Sequence, residues 1–436
     1  MNKNIFVVGL DEFNLNRLRS IRHADRYRFH SALDLKRVQE AKTYPIEDWL
    51  RATQEKMDAF EGSVDAVIGF WDFPVSPMVP ILCERYNTRG PSLRSVLRCE
   101  HKYWSRLEQR RVIPEQVPKF AAVNPFDEES VAALDLDFPL WLKPVKAFAS
   151  QLGFYVENEE DLKQAIDKLR AGIERFAKPF NAVLSRIEVP EEAGGVDGYW
   201  AVAEEIMRGR QLTIAGYVND RGVHTYGLID SINYPGSTSF FRYQYPSRLP
   251  EDVRERAADI SKRVMAHMKF DHSPFNIEYF YDEERDHLSL LEINTRISQS
   301  HSYLFEQVDG ASNHQVLVEL ALGNSPKFPR NEGPHRYCNK LHLRHFEDGT
   351  VTRVPGEENI EKVRAEFPDA RVLVQVTDGV RLGELGNQDA YSTRLAVVYL
   401  GAKNEDELLS KYERAIDMLG FEVDGRKVEA KKSDLR

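Results

Sequence analysis

The chain has 436 residues, 42% hydrophobic and 29% charged, with a formal net charge of −10. That length suits roughly two to four compact units with buried cores, and the acidic balance argues against non-specific nucleic-acid binding, which needs a basic face. Cys83, Cys99 and Cys338 are too few and too scattered for a disulfide framework or a zinc site, and no run approaches the ~20 apolar residues of a membrane span. The apolar run near the N-terminus closes at Asp11 and Glu12, too early for the core of a signal peptide. The expectation is a soluble protein of the reducing cytoplasm, with no nucleic-acid and no membrane partner.

Residues 5–9 read as a short buried strand, followed by an amphipathic segment over 12–21. Residues 28–31 and 64–70 read as two further strands, and a helix follows over about 76–86. Strands alternating with helices predict a small parallel α/β sheet. Gly9 stands alone, so the Gly-x-Gly-x-x-Gly dinucleotide fingerprint is absent. The turn-like stretch ending in Gly90-Pro91 closes this unit. One helix is expected over 92–111, carrying Lys102. A buried strand over 138–144 ends in Lys143-Pro144, where proline removes a ladder donor. A lysine on so apolar a strand needs an anion or water.

Residues 201–218 alternate apolar and polar around Gly209, and 223–229 continue the antiparallel pattern. The segment 250–268 is amphipathic, with Glu251 and Asp252 early and basic residues later, as a helix dipole favours. From about residue 334, short strands alternate with helices, predicting an α+β lobe.

The stretch 275–296 carries the most chemistry. It reads as two strands joined by a polar turn over 282–287. Phe275, Ile277 and Tyr279 fall on one face and Asn276, Glu278 and Phe280 on the other; Leu291, Ile293 and Thr295 alternate against Leu290, Glu292, Asn294 and Arg296. A hairpin symmetric about Arg285 sets Glu278 opposite Glu292, with Cβ atoms ~5 Å apart. Two carboxylates so close on an apolar ribbon repel. A hard divalent cation held by carboxylate and amide oxygens offsets that cost, and Asn294 projects to the same side. Arg296 adds a fork-shaped cation suited to phosphate.

In this order the elements resemble the ATP-grasp superfamily, and within it the carboxylate–amine ligases with a biotin-carboxylase-like C-terminal lobe. The resemblance implies a fold of mixed α/β and α+β class. Its parts would be a small N-terminal domain over 1–91, ATP-grasp lobe A over 92–200, lobe B with the metal site over 201–330, and a C-terminal lobe over 331–436. Leu291-Glu-Ile-Asn-Thr-Arg296 is similar to the family's Glu-Ile-Asn-Pro-Arg strand, with Thr295 in place of proline. By that match Glu278, Glu292 and Asn294 would bind magnesium, or manganese in its place, with two ions per site. Arg296 would hold the transferred phosphoryl group. Lys102 and Lys143 would take ATP phosphates. Glu204 would accept from the adenine amino group, the backbone of Glu205 and Met207 would face the ring edge, and Gln211 would replace the usual ribose-binding glutamate.

The loop after Lys143 lacks the family's glycines, with Ser150 its candidate ATP contact. Ser298-Gln-Ser300-His301 stands where the family has a Gly-Gly pair, so substrate selection should be unusual. Arg242, Ser300 and His301 are the candidates to face the organic substrate. The implied reaction is ATP-dependent ligation of a small-molecule carboxylate to an amine, an amino acid above all, through an acyl phosphate. The alternatives are bicarbonate activation, as in biotin carboxylase, and a nucleotide-binding regulator without turnover. Pairing of two copies into a homodimer is left open.

Overall fold

The computed structural model describes residues 2–148, 151–237, 239–385 and 392–435. Its first strand, β1 (Lys3–Leu10), pairs in parallel with β2 (Tyr27–Asp34) on one side and β3 (Ala66–Gly69) on the other. Parallel neighbours need crossover connections, which the helices Glu12–Arg19 and Ile46–Asp58 supply. Asp11 caps the first of these by accepting from the Asn14 amide. This is the parallel α/β unit that the strand–helix alternation predicts.

The single helix expected over 92–111 is two helices, Leu93–Glu100 and Lys102–Val112. The break is capping chemistry. His101 has an extended backbone, and its Nδ1 accepts from the Trp104 amide at 3.2 Å. Its Nε2 meets the Val196 carbonyl at 2.8 Å. Lys102 thereby enters at the start of the second helix, and its amide donates to the Val145 carbonyl.

Lobe A is an antiparallel sheet of β4 (Phe120–Val123), β5 (Leu140–Pro144), β6 (Phe154–Val156) and β7 (Ala201–Glu205), in the order β4-β7-β5-β6. Leu162, Ile166 and Leu169 of the helix Glu159–Gly172 close its core against Leu140, Leu142 and Ala203. Residues 206–209 then cross to a larger sheet. Its strands are β8 (Arg210–Asn219), β9 (Gly222–Asn233), β10 (Phe240–Tyr245), β11 (Ser273–Asp282), β12 (His287–Asn294) and β13 (Tyr337–His345). After β14 (Val351–Arg353), which joins a separate small sheet, β15 (Arg371–Val374) and β16 (Thr393–Ala402) complete it. The order is β12-β11-β8-β9-β10-β13-β16-β15, so one eight-stranded sheet runs through the expected boundary at residue 330.

The hairpin β11–β12 has the opposition expected from sequence, reached by a route the sequence pattern did not show. Asp282 pairs with His287 and Tyr279 with Leu290, but the register slips between Glu278 and Tyr279. Leu291 is the extra residue of this β-bulge, and the slip brings Glu292 opposite Glu278. Without it Glu278 would face leucine. The bulge also corrects the expected faces. Leu288 and Leu290 pack with Ile293 against Phe275, Ile277 and Tyr279, so Leu290 does not share the side of Glu292.

The crossing into β8 turns at Gly209, whose φ is +104° and where an added Cβ would lie 2.0 Å from the Tyr281 carbonyl oxygen. Gly209→Ala should therefore cost more than ~1 kcal/mol, read as a lower midpoint in urea. An unchanged midpoint would show that the turn relaxes freely.

Candidate active site

The site lies between lobe A and the hairpin β11–β12. Glu278 and Glu292 face each other across the bulge. Burial, and then the charge of Glu292, push the Glu278 carboxyl up to about 7. Two amide side chains already serve its oxygens: Gln211 donates at 2.8 Å and Asn294 at 3.2 Å. Asn276, 2% exposed, accepts from Asn294 and donates to the Arg296 carbonyl at 2.8 Å, which fixes the end of β12. Two carboxylates and an amide form a hard oxygen donor set, the kind that magnesium or manganese accepts. Among the described residues no three His, Cys, Asp or Glu side chains gather into a metal cage, so the remaining ligands would have to come from a bound phosphate chain and water. The raised carboxyl fits that reading, because a cation removes the repulsion that raises it.

Lysines approach this pair from lobe A. Lys102 Nζ lies 3.9 Å from Glu292 and donates to the Ala147 carbonyl at 3.1 Å. Burial lowers its pKa, with Glu292 opposing and Lys146 adding to the fall. Lys143 binds Glu204 at 2.7 Å. The Glu204 carboxylate, 1% exposed, is also clamped by Arg106, at 2.8 and 3.2 Å. Burial opposes its charge, but Arg106 and Lys143 outweigh it and hold the carboxyl down at about 2. Here the Glu204 oxygens are engaged by Lys143 and Arg106. Arg106 in turn donates to the Leu290 and Leu291 carbonyls, so one guanidinium ties lobe A to the bulged strand.

Other expected residues fall in three groups. Glu205 ends β7 with its amide bound to the Lys119 carbonyl, and Met207 is half-buried in the connection to β8. Gln211 donates to Glu278. Arg242 is 2% exposed and pairs with Glu405, on the helix Glu405–Leu419, so it does not face the site; its neighbour Tyr243 does. Ser300 and His301 do approach the site. Ser150 lies outside the described residues.

A second cluster, between the N-terminal unit and the end of β12, escaped the sequence reading. Arg296 donates to Asp72 at 2.7 Å, just beyond β3. Lys146 bridges Asp72 at 3.2 Å and Glu100 at 2.8 Å. Glu100 also accepts from Thr295 at 2.6 Å and Ser76 at 2.9 Å. Burial disfavours the ammonium of Lys146, but Glu100 and Asp72 reverse that and raise its pKa. Burial likewise opposes the charge of Asp72, which Lys146 and Arg296 restore. Thr295 thus has a use that the family's proline could not serve, because its hydroxyl joins this network. The signal for Asp72 was its place past the carboxyl end of a parallel strand, where α/β sheets put their sites.

The chain matches the ATP-grasp domain family over residues 136–302. An uncharacterized protein of Sinorhizobium fredii, y4rH, is 22% identical over 349 residues, 78% of this chain and 65% of that protein. The chain therefore spans less than two-thirds of that relative's length. Among solved structures, an L-amino acid ligase from Bacillus licheniformis superposes with a TM-score of 0.74 at 18% identity, over 98% of this chain and 99% of that one. The biotin carboxylase of Campylobacter jejuni superposes with a TM-score of 0.63 at 16% identity, over 100% and 94%. Residues 136–302 are an ATP-grasp domain, and the chain as a whole has the ATP-grasp fold.

Two outcomes follow from this geometry. Arg106→Met leaves a buried Glu204 with Lys143 alone and should cost about 3–5 kcal/mol, seen in urea titrations as an early transition. The raised carboxyl of Glu278 gives a pH signature. A folded pKa above the unfolded one contributes stability that is fully present below the unfolded value of 4.5 and is lost as pH rises through about 7. Glu278→Gln should therefore raise the thermal midpoint at pH 8 by about 2 °C, with the gain gone by pH 4. An equal gain at both pH values would mean that Glu278 carries no such strain.

Proposed function

We propose that this ATP-grasp chain is an ATP-dependent carboxylate–amine ligase, joining a small carboxylate to the amine of an amino acid. The observation that carries the reading is the forced opposition of Glu278 and Glu292 beside Lys102, Lys143 and Arg296. A degenerate nucleotide-binding regulator would have no use for two carboxylates held against their own repulsion. The residues retain the charges that a nucleotide triphosphate requires. Glu278, Glu292 and Asn294 would hold a divalent cation, which when bound neutralises phosphate charge and orients the phosphate chain.

In this reading Lys102 and Lys143 bind phosphate oxygens, and Glu204 and Arg106 keep Lys143 in place before ATP arrives. Arg296 swings its guanidinium from Asp72 toward the phosphoryl group in transfer. A substrate carboxylate oxygen attacks the γ-phosphorus while the bond to the β–γ bridging oxygen breaks, so ADP leaves with that electron pair. The amine nitrogen then attacks the acyl carbon and the bond from that carbon to the phosphate oxygen breaks. Phosphate departs and the amine gives up a proton to solvent. Positioning and charge neutralisation supply the rate, since little covalent work falls to the protein.

Phosphate release from ATP over a panel of amino acids is the direct test. Amino-acid-dependent release supports ligation. Release with bicarbonate alone would favour the carboxylase-like alternative, and ATP binding with no release under any condition would leave a regulator. Glu292→Gln should cut turnover at least 100-fold while the circular dichroism spectrum is unchanged. Turnover within a factor of three of the parent would remove Glu292 from the site.

A further inference from the structure

A polar cluster sits on the face of the large sheet covered by the helix Ser302–Asp309. Its floor is one register row: Tyr243 of β10 lies directly opposite Lys340 of β13, which lies opposite Tyr399 of β16. On the same face of β13 are His342 and Arg344, with Arg394 paired to Arg344. Ser300 and His301 form the roof. Lys340 Nζ donates to Ser300 Oγ at 3.0 Å and sits 5.6 Å from the centre of the Tyr243 ring. His301 and His342 meet that ring edge-on, at 5.4 and 5.5 Å.

Lys340 is the cation at the middle of this row. Lys340 is partly exposed, and among the described residues it has no carboxylate partner. Burial, then Arg394, pull its pKa down to about 7. His301 and His342 are 3% and 2% exposed, and Nδ1 of His301 lacks a hydrogen-bond partner. Burial, then Lys340 and Arg296, push His301 down to about 3, so it is a neutral ring with one N–H to donate. A buried polar nitrogen without a partner is costly. A carboxylate would accept from the Lys340 ammonium, the Ser300 hydroxyl and one His301 N–H together, and Tyr243 offers a flat face for the carbon skeleton behind it. Ser300 and His301 follow Arg296 in the chain by four and five residues, which joins this cluster to the end of β12.

We infer that Lys340, with Ser300 and His301, binds the free α-carboxylate of the amine-bearing amino acid, holding its nitrogen toward the acyl group. This rests on the ligase reading above and adds a requirement: the acceptor must carry a free carboxylate. The row of Tyr243, Lys340 and His342 would then discriminate acid from amide, while the nucleotide is bound elsewhere.

Calorimetric titration of the full chain with ADP and magnesium present tests this without turnover. The probes are free amino acids and their C-terminal amides. At least one free amino acid should bind the parent protein, with its amide about 10- to 100-fold weaker. Lys340→Met should erase that difference while ADP still binds; Lys340→Arg should keep most of it. Equal binding of acid and amide by the parent protein overturns the inference, and that comparison needs no variant. So does a panel in which no free amino acid binds, or a Lys340→Met protein that discriminates as before. If Lys340→Met instead lowers kcat while leaving KM for the amino acid unchanged, Lys340 acts on the proton of the amine, and the carboxylate assignment is wrong. Selective binding without phosphate release would sink the ligase reading and leave the carboxylate site standing.

Discussion

Everything about the site depends on two carboxylates being held face to face. Like charges directly opposed across an antiparallel pair destabilise it, and the fold does not relieve that by turning one outward. It reinforces it. The register slip at Leu291 places Glu292 against Glu278, the core under Leu288, Leu290 and Ile293 locks the strand in that phase, and Arg106 holds the Leu290 and Leu291 carbonyls. Gln211, Asn276 and Asn294 then spend their amides on the ends of this arrangement. Polar groups are arranged to tolerate the repulsion, so the two carboxylates and the Asn294 amide are held in place by the protein itself.

The second organising feature is the chain of charges from the N-terminal unit. Asp72, Lys146, Glu100, Thr295 and Arg296 connect β3, the entering helix, the loop after β5 and the end of β12. Each charged member has an opposite partner, which is how buried ions are tolerated. The partner of Arg296, Asp72, belongs to a different unit of the chain, so the Arg296 guanidinium ties the end of β12 to the N-terminal unit.

Much of this was legible in the sequence, for reasons that can be named. The α/β start was readable because strand and helix periods alternate cleanly there. The opposed glutamates were readable because a polar turn fixes the centre of a hairpin to within one residue. That one residue is where the reading fell short: a bulge has no strong local signature, and the symmetric hairpin gave the right pair while misplacing Leu290. The helix break at His101 was hidden because a buried histidine acts as the cap, a role usually filled by Ser, Thr, Asp or Asn. The partners of Glu204 and Arg242 were not legible for a common reason. Arg106 and Glu405 lie 98 and 163 residues away in the chain, and pairing at that range is decided by tertiary packing. Lys340 was overlooked because a lysine alternating with leucines looks like any solvated strand face.

The continuity of the large sheet has a mechanical result. The strands bearing Glu278 and Lys340 belong to one hydrogen-bonded slab, so the separation between these two residues is set once, at folding. Lobe A is a separate sheet joined to that slab through residues 206–209 and the Arg106 clamp. A tilt of lobe A about that connection would leave Glu278 and Lys340 in register with each other.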